Sequence, residues 1–144
     1  MELAEWRATL EQEGLTCESR ENPGSSDIAA GVYLDCDGAI EPGSLRVLSQ
    51  FSPEGVLLRL HATLLPPNDD ETLLPESVRD DALSKVLSIR FEGFDRDDSA
   101  SQLRAYLRDP ACYGTNCTIQ SGRGTFHLQT GLRGAFVISL ELEP

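Results

Sequence analysis

The run from Ile28 to Cys36 constrains this chain more than any other stretch. Ile28, Ala30, Val32, Leu34 and Cys36 fall on one side of a period-two alternation, and Ala29, Gly31, Tyr33 and Asp35 on the other. That pattern predicts a strand with one buried face, and it puts the Cys36 sulfur on the buried side. Upstream, Leu3, Trp6 and Leu10 recur at helical spacing, Trp6 as a core residue among apolar neighbours, and Gly14 is placed to stop the helix. Leu15 then re-enters the core, and residues 18–26 read as a polar turn rich in Gly, Pro and Ser. A bond between Cys17 and Cys36 would therefore tie the first helix to the sheet it packs on.

Downstream, Asp37-Gly38 and Pro42-Gly43 bracket a predicted turn, with Leu45, Val47 and Phe51 marking a second strand. Ser52-Pro53-Glu54-Gly55 reads as a hairpin connection. In the third strand the alternation sends Val56, Leu58, Leu60, Ala62 and Leu64 inward, and Arg59, His61 and Thr63 outward. After the break at Pro66-Pro67, Pro75 suits a first helical turn, and Val78, Ala82, Val86 and Ile89 follow at helical spacing. Residues 86–94 fit a short strand equally well. Ser99 with Gln102 forms a capping-box pattern ahead of Leu103, Tyr106 and Leu107, and Pro110 closes that helix. Thr118 to Gln120, Thr125 to Gln129 and Ala135 to Leu142 return to strand patterning around glycine-bearing turns.

The expected architecture is α+β: one domain over residues 1–144, with an antiparallel sheet of five to six strands and three helices on one face, in the order α-β-β-β-α-α-β-β-β. A chain of 144 residues is long enough for a sizeable core.

The four cysteines, Cys17, Cys36, Cys112 and Cys117, allow three complete pairings. Local spacing favours Cys17 with Cys36 and Cys112 with Cys117, the first worth roughly 3 kcal/mol in the chain-entropy account. Free buried thiols rank second. A zinc site ranks last, because His61 and His127 lack ligand-like neighbours and the cysteines lack paired metal spacing. No base stands near a cysteine in sequence, so a catalytic thiol is not expected.

Composition excludes more than it identifies. The formal net charge of −12 disfavours nucleic acid and anionic membrane surfaces. It suits either simple solubility or an acidic surface for a partner protein. No stretch approaches the length of a membrane span, so direct membrane insertion is not expected. The acidic amphipathic start is unlike a signal peptide, which leaves a cytosolic protein or one whose targeting segment lies outside the chain. Phosphate-cradling, nucleophile-elbow and zinc-protease motifs are not found. Asp95-Arg96-Asp97-Asp98-Ser99 begins like a calcium loop but carries Ala100 where glycine is needed and Tyr106 where the bidentate glutamate belongs, so a helix cap is expected instead. Asp69-Asp70-Glu71 reads as a solvated loop. His61 and His127 are expected on neighbouring strands, where they could face each other.

The N-terminal amphipathic helix, Gly14-Leu15-Thr16-Cys17, the strand ending at Cys36 and the following Asp37-Gly38 together resemble a small domain of bacterial extracytoplasmic proteins, often found behind a membrane anchor or lipid attachment site. That family has no assigned activity, so the resemblance implies compartment and fold and carries over no catalytic residue. The helix-plus-sheet layout is also similar to YbjN proteins and type III secretion chaperones, which bind partner proteins as dimers. The expectation is thus a non-enzymatic extracytoplasmic domain that acts by contact with a protein or envelope component. It has no catalytic, cofactor or metal residues, and a homodimer is compatible with it. The alternative is a cytosolic acidic protein of secretion-chaperone or immunity type.

Overall fold

The computed structural model describes residues 1–26 and 29–143. Among these, three helices and seven strands follow one another as α-β-β-β-β-α-α-β-β-β. They are α1 (Leu3–Gln12), β1 (Thr16–Asn22), β2 (Gly31–Ile40), β3 (Gly43–Phe51), β4 (Leu57–Leu65), α2 (Glu76–Val86), α3 (Arg96–Leu107), β5 (Cys117–Ser121), β6 (Gly124–Thr130) and β7 (Phe136–Leu142). The strands form one antiparallel sheet in the order β1-β2-β3-β4-β7-β6-β5. The α+β class is as expected, but the sheet has seven strands rather than five to six.

The added strand is β1, in the stretch read as a turn. Its sequence, Thr-Cys-Glu-Ser-Arg-Glu-Asn, lacks an apolar alternation because it lies at the sheet edge and buries only Cys17. Its register on β2 is nonetheless regular from Thr16↔Asp37 to Asn22↔Gly31.

All three helices cover the same sheet face. Helix α1 turns Trp6 and Leu10 into the core, α2 contributes Ala82, Leu83 and Val86, and α3 adds Ala100, Leu103 and Leu107. Opposite them lie Leu34, Cys36, Leu45, Val47, Leu60, Ala62, Leu64, Phe126, Leu128, Phe136, Ile138 and Leu140, all buried. Trp6 is fully buried, and its indole N–H donates to the Ser49 hydroxyl at 2.8 Å.

Helix α1 stops where expected. Gly14 has a φ of 93°, its N–H reaches Glu11 O and the Leu15 N–H reaches Leu10 O, so the two bonds satisfy the last carbonyls of the helix. Gly38 acts differently from the turn residue its sequence suggests. It lies inside β2, and a Cβ there would stand 3.0 Å from Gly14 O and 3.3 Å from Leu15 Cα. The missing side chain lets the α1–β1 connection cross the sheet at close range. The turn itself is Glu41-Pro42, joined by a cis peptide.

Three further expectations are corrected. Val56 is 49% exposed while Leu57 is buried, because the pairing shifts between Gln50↔Arg59 and Phe51↔Leu57 and leaves Leu58 as an extra residue. The inward series therefore holds only from Leu60 onward. For residues 86–94, read equally as helix or short strand, α2 ends at Val86 and residues 87–94 are neither, so Ile89 falls outside the helix. Helix α3 begins before the expected Ser99 cap: Asp95 accepts from the Asp98 N–H at 3.0 Å, and Ser99 is buried one turn inside. The inward placement expected for Ile28 lies outside the described residues.

Candidate binding face

Among the described residues every helix sits on one side, so no helix covers the other face of the sheet, and its chemistry follows from the register. One cross-strand row runs Arg20, Tyr33, Gln50, Arg59, Glu141, Thr125, Gln120. The next runs Glu18, Asp35, Leu48, His61, Ser139, His127, Thr118. A third carries Thr16, Asp37, Arg46, Thr63, Val137 and Gln129. Opposite residues on one face lie within side-chain reach, so each row is a contiguous set of neighbours.

The β1–β4 half of this face is concave. A cleft of about 610 Å³ is lined by Arg20, Tyr33, Gln50 and Arg59 along one row and by Leu48 and Arg46 behind them. Asp35 holds Arg46 through two contacts, Nε to Oδ1 at 3.0 Å and Nη2 to Oδ2 at 2.7 Å, and Arg20 approaches at 3.4 Å. The hydrogen bonds from Arg46 keep the Asp35 carboxyl below its ordinary range, and Arg46 is raised in return. Arg59 makes no ion pair among the described residues. Gln50 is only 6% exposed and lines the cleft, and its amide is not among the buried polar atoms left without a partner.

The four cysteines are paired as local spacing favoured, Cys17 with Cys36 at 2.07 Å and Cys112 with Cys117 at 2.00 Å between sulfurs. The role of the first is corrected. Cys17 and Cys36 stand directly opposite on β1 and β2, with Cα atoms 4.1 Å apart, so the bond joins strand to strand rather than helix to sheet. Cys112–Cys117 ties the turn after α3 to the start of β5. Two disulfides point to an oxidising environment. Among the described residues no helix is long and apolar enough to cross a membrane.

His61 and His127 do not sit on neighbouring strands, because β7 lies between β4 and β6. Both stand beside Ser139 in register. His61 Nδ1 lies 2.9 Å from the Ser139 hydroxyl, and His127 Nδ1 lies 3.1 Å from Thr118 Oγ1. Asp69 is an organised loop residue rather than a merely solvated one. It accepts from the Glu71 and Thr72 N–H groups and the Thr72 hydroxyl, and the Thr72 bonds chiefly lower its pKa to about 2. Arg133 reaches Asp69 and the Pro67 and Thr72 carbonyls, fastening this loop to the β6–β7 turn.

Sequence alternation already turned Tyr33 and Arg59 outward. Arg20 was missed because β1 was missed, and the buried Gln50 carries no local signal. Comparison with family profiles, curated proteins and solved structures finds no match for this chain.

Proposed function

We propose that this chain is a non-enzymatic binding domain of an oxidising, extracytoplasmic compartment, and that it engages a partner protein or envelope component through its open sheet face. The observation that carries the reading is the division of the fold. The helices bury one sheet face, and the other presents a concave surface in which arginine, tyrosine and the Gln50 amide converge. Tyr and Arg are the residues that interfaces favour, since each combines contact area with directional hydrogen bonds. The disulfides support the compartment.

The test is site-specific photo-crosslinking in the cell of origin. Crosslinkers at His61 and Thr63 on the open face should capture the same partner, whereas crosslinkers at Asp81 and Asp97 on the helical layer should not. Capture from the helical layer alone would overturn the reading and favour the acidic-surface alternative. For the compartment, thiol titration of the denatured, unreduced protein should find no free thiol, and four free thiols would refute it.

A further inference from the structure

We infer that the Arg20–Tyr33–Gln50–Arg59 row recognises an extended acidic segment of the partner, one with two carboxylate side chains four residues apart. The inference rests on the open-face reading above and specifies what that face takes. The cleft along its first four strands is lined by three arginines, Arg20, Arg46 and Arg59, against one carboxylate, Glu21, in a chain whose net charge is −12. The sign of the surface is therefore reversed locally.

The donors at the two ends are available. Asp35 is already occupied by the paired contact with Arg46, so its 3.4 Å approach to Arg20 leaves most of that guanidinium uncommitted. Arg59 stands in register with Glu141 but is not ion-paired with it. Guanidinium groups match carboxylates in a planar, two-point fashion, which favours Asp or Glu side chains over diffuse anions.

The spacing sets the ligand. Arg20 and Arg59 lie three strand intervals apart, about 14 Å at a separation of about 4.8 Å per strand. In an extended peptide, residues i and i+4 share a face and lie about 14 Å apart at about 3.4 Å per residue. A segment crossing the strands thus sets its two carboxylates over the two guanidinium groups. Its residue i+2 then falls over the Tyr33 ring and the Gln50 amide. That amide lines the cleft and can both donate and accept, so a short hydroxyl or amide side chain fits there. Leu48 in the adjoining row gives the flanking backbone an apolar floor.

The probes are acetylated, amidated pentapeptides titrated into the disulfide-intact protein and followed by amide chemical shifts. Glu-Val-Thr-Val-Glu should shift the resonances of residues 20, 33, 50 and 59. Replacing either Arg59 or Arg20 with Gln should weaken it by about two- to fivefold, the scale of one solvent-exposed ion pair. Both arginines are exposed, and an unchanged melting temperature confirms that each variant is folded. Equal binding of Gln-Val-Thr-Val-Gln would overturn the role of charge. Equal binding of Val-Glu-Glu-Thr-Val would overturn the spacing, and equal binding of free glutamate would replace the segment with a small anion. If no pentapeptide binds while open-face crosslinks still capture a partner, this inference falls and the docking face stands. If the pentapeptide binds but crosslinks arise only from the helical layer, the docking face falls instead.

Discussion

Removing the hydrogen bond between Trp6 and Ser49 tests how the first helix is fastened to the sheet. Both residues are fully buried, and the indole Nε1 lies 2.8 Å from Ser49 Oγ. Ser49→Ala deletes the acceptor and leaves a buried N–H unpaired, a cost of about 1–3 kcal/mol. Trp6→Phe deletes the donor and also empties a volume on the order of 40 Å³, which adds about 1 kcal/mol at about 24 cal/mol per Å³. The double variant leaves neither group orphaned. It should therefore cost less than the sum of the two single changes, by about 1–2 kcal/mol. Urea unfolding followed by far-UV circular dichroism measures all four proteins on one scale, since the only tryptophan is among the altered residues. In a domain of this size each kcal/mol lowers Tm by about 2–4 °C, so thermal melts provide a second reading. Single changes that add within about 0.5 kcal/mol would show that the two groups do not act as a pair and would refute the argument.

The other expectations concern the covalent frame, acid and two glycines. Replacing Cys17 and Cys36 together by Ala should lower stability by about 3 kcal/mol, against about 2 for the shorter Cys112–Cys117 loop, as read by denaturant midpoints. Asp69 has a folded pKa of about 2 against an ordinary 3.8, so its contribution is present above pH 4 and lost as pH falls toward about 2. The difference in Tm between wild type and Asp69→Asn should thus shrink across that window, and an equal difference at pH 5 and pH 2 would contradict the assignment. Gly122 and Gly114 share a left-handed φ, 57° and 67°, but a Cβ at Gly122 would meet the Glu92 and Gly93 backbone at 2.6 Å whereas one at Gly114 meets nothing within 4 Å. Gly114→Ala should therefore cost about 1 kcal/mol and Gly122→Ala distinctly more, measured by chemical denaturation.

What the sequence revealed and what it concealed divide along a physical line. Strands β2, β3 and β4 each bury one face against the helices, so Leu34, Cys36, Leu45, Val47, Leu60, Ala62 and Leu64 write a period of two into the chain. The α3 face at Leu103 and Leu107 and the stop at Gly14 are legible for the same reason: local patterns encode local burial and local backbone need. Strand β1 buries only Cys17, so nothing in its composition separates it from a polar loop, and its pairing with β2 is a tertiary fact. The order β4-β7-β6 is equally non-local, which is why His61 and His127 could be placed on one face but not at their true separation. The slip at Leu58 shows a smaller version of the same limit: one extra residue reassigns Val56 and Leu57 without altering the apolar run.

The missed strand changes what the first disulfide does. Helix α1 is held to the sheet by Trp6 on Ser49, by Leu10 in the core, and by the Arg7 guanidinium, which donates to Cys17 O at 3.0 Å. The Arg7 contact lands on β1 itself, whereas the first two do not require the Cys17–Cys36 bond. Strand β1 does require it, because a polar edge strand with one buried side chain has little hydrophobic reason to stay paired. Arg20 follows Cys17 by three residues on that strand and forms one end of the cleft. A loosened β1 would let Arg20 drift from Tyr33, its partner in register, while the core beneath β2–β4 remained intact. The bond that first looks like a clamp between helix and sheet thus holds the width of the open face, and reducing it would disturb that face more directly than the core.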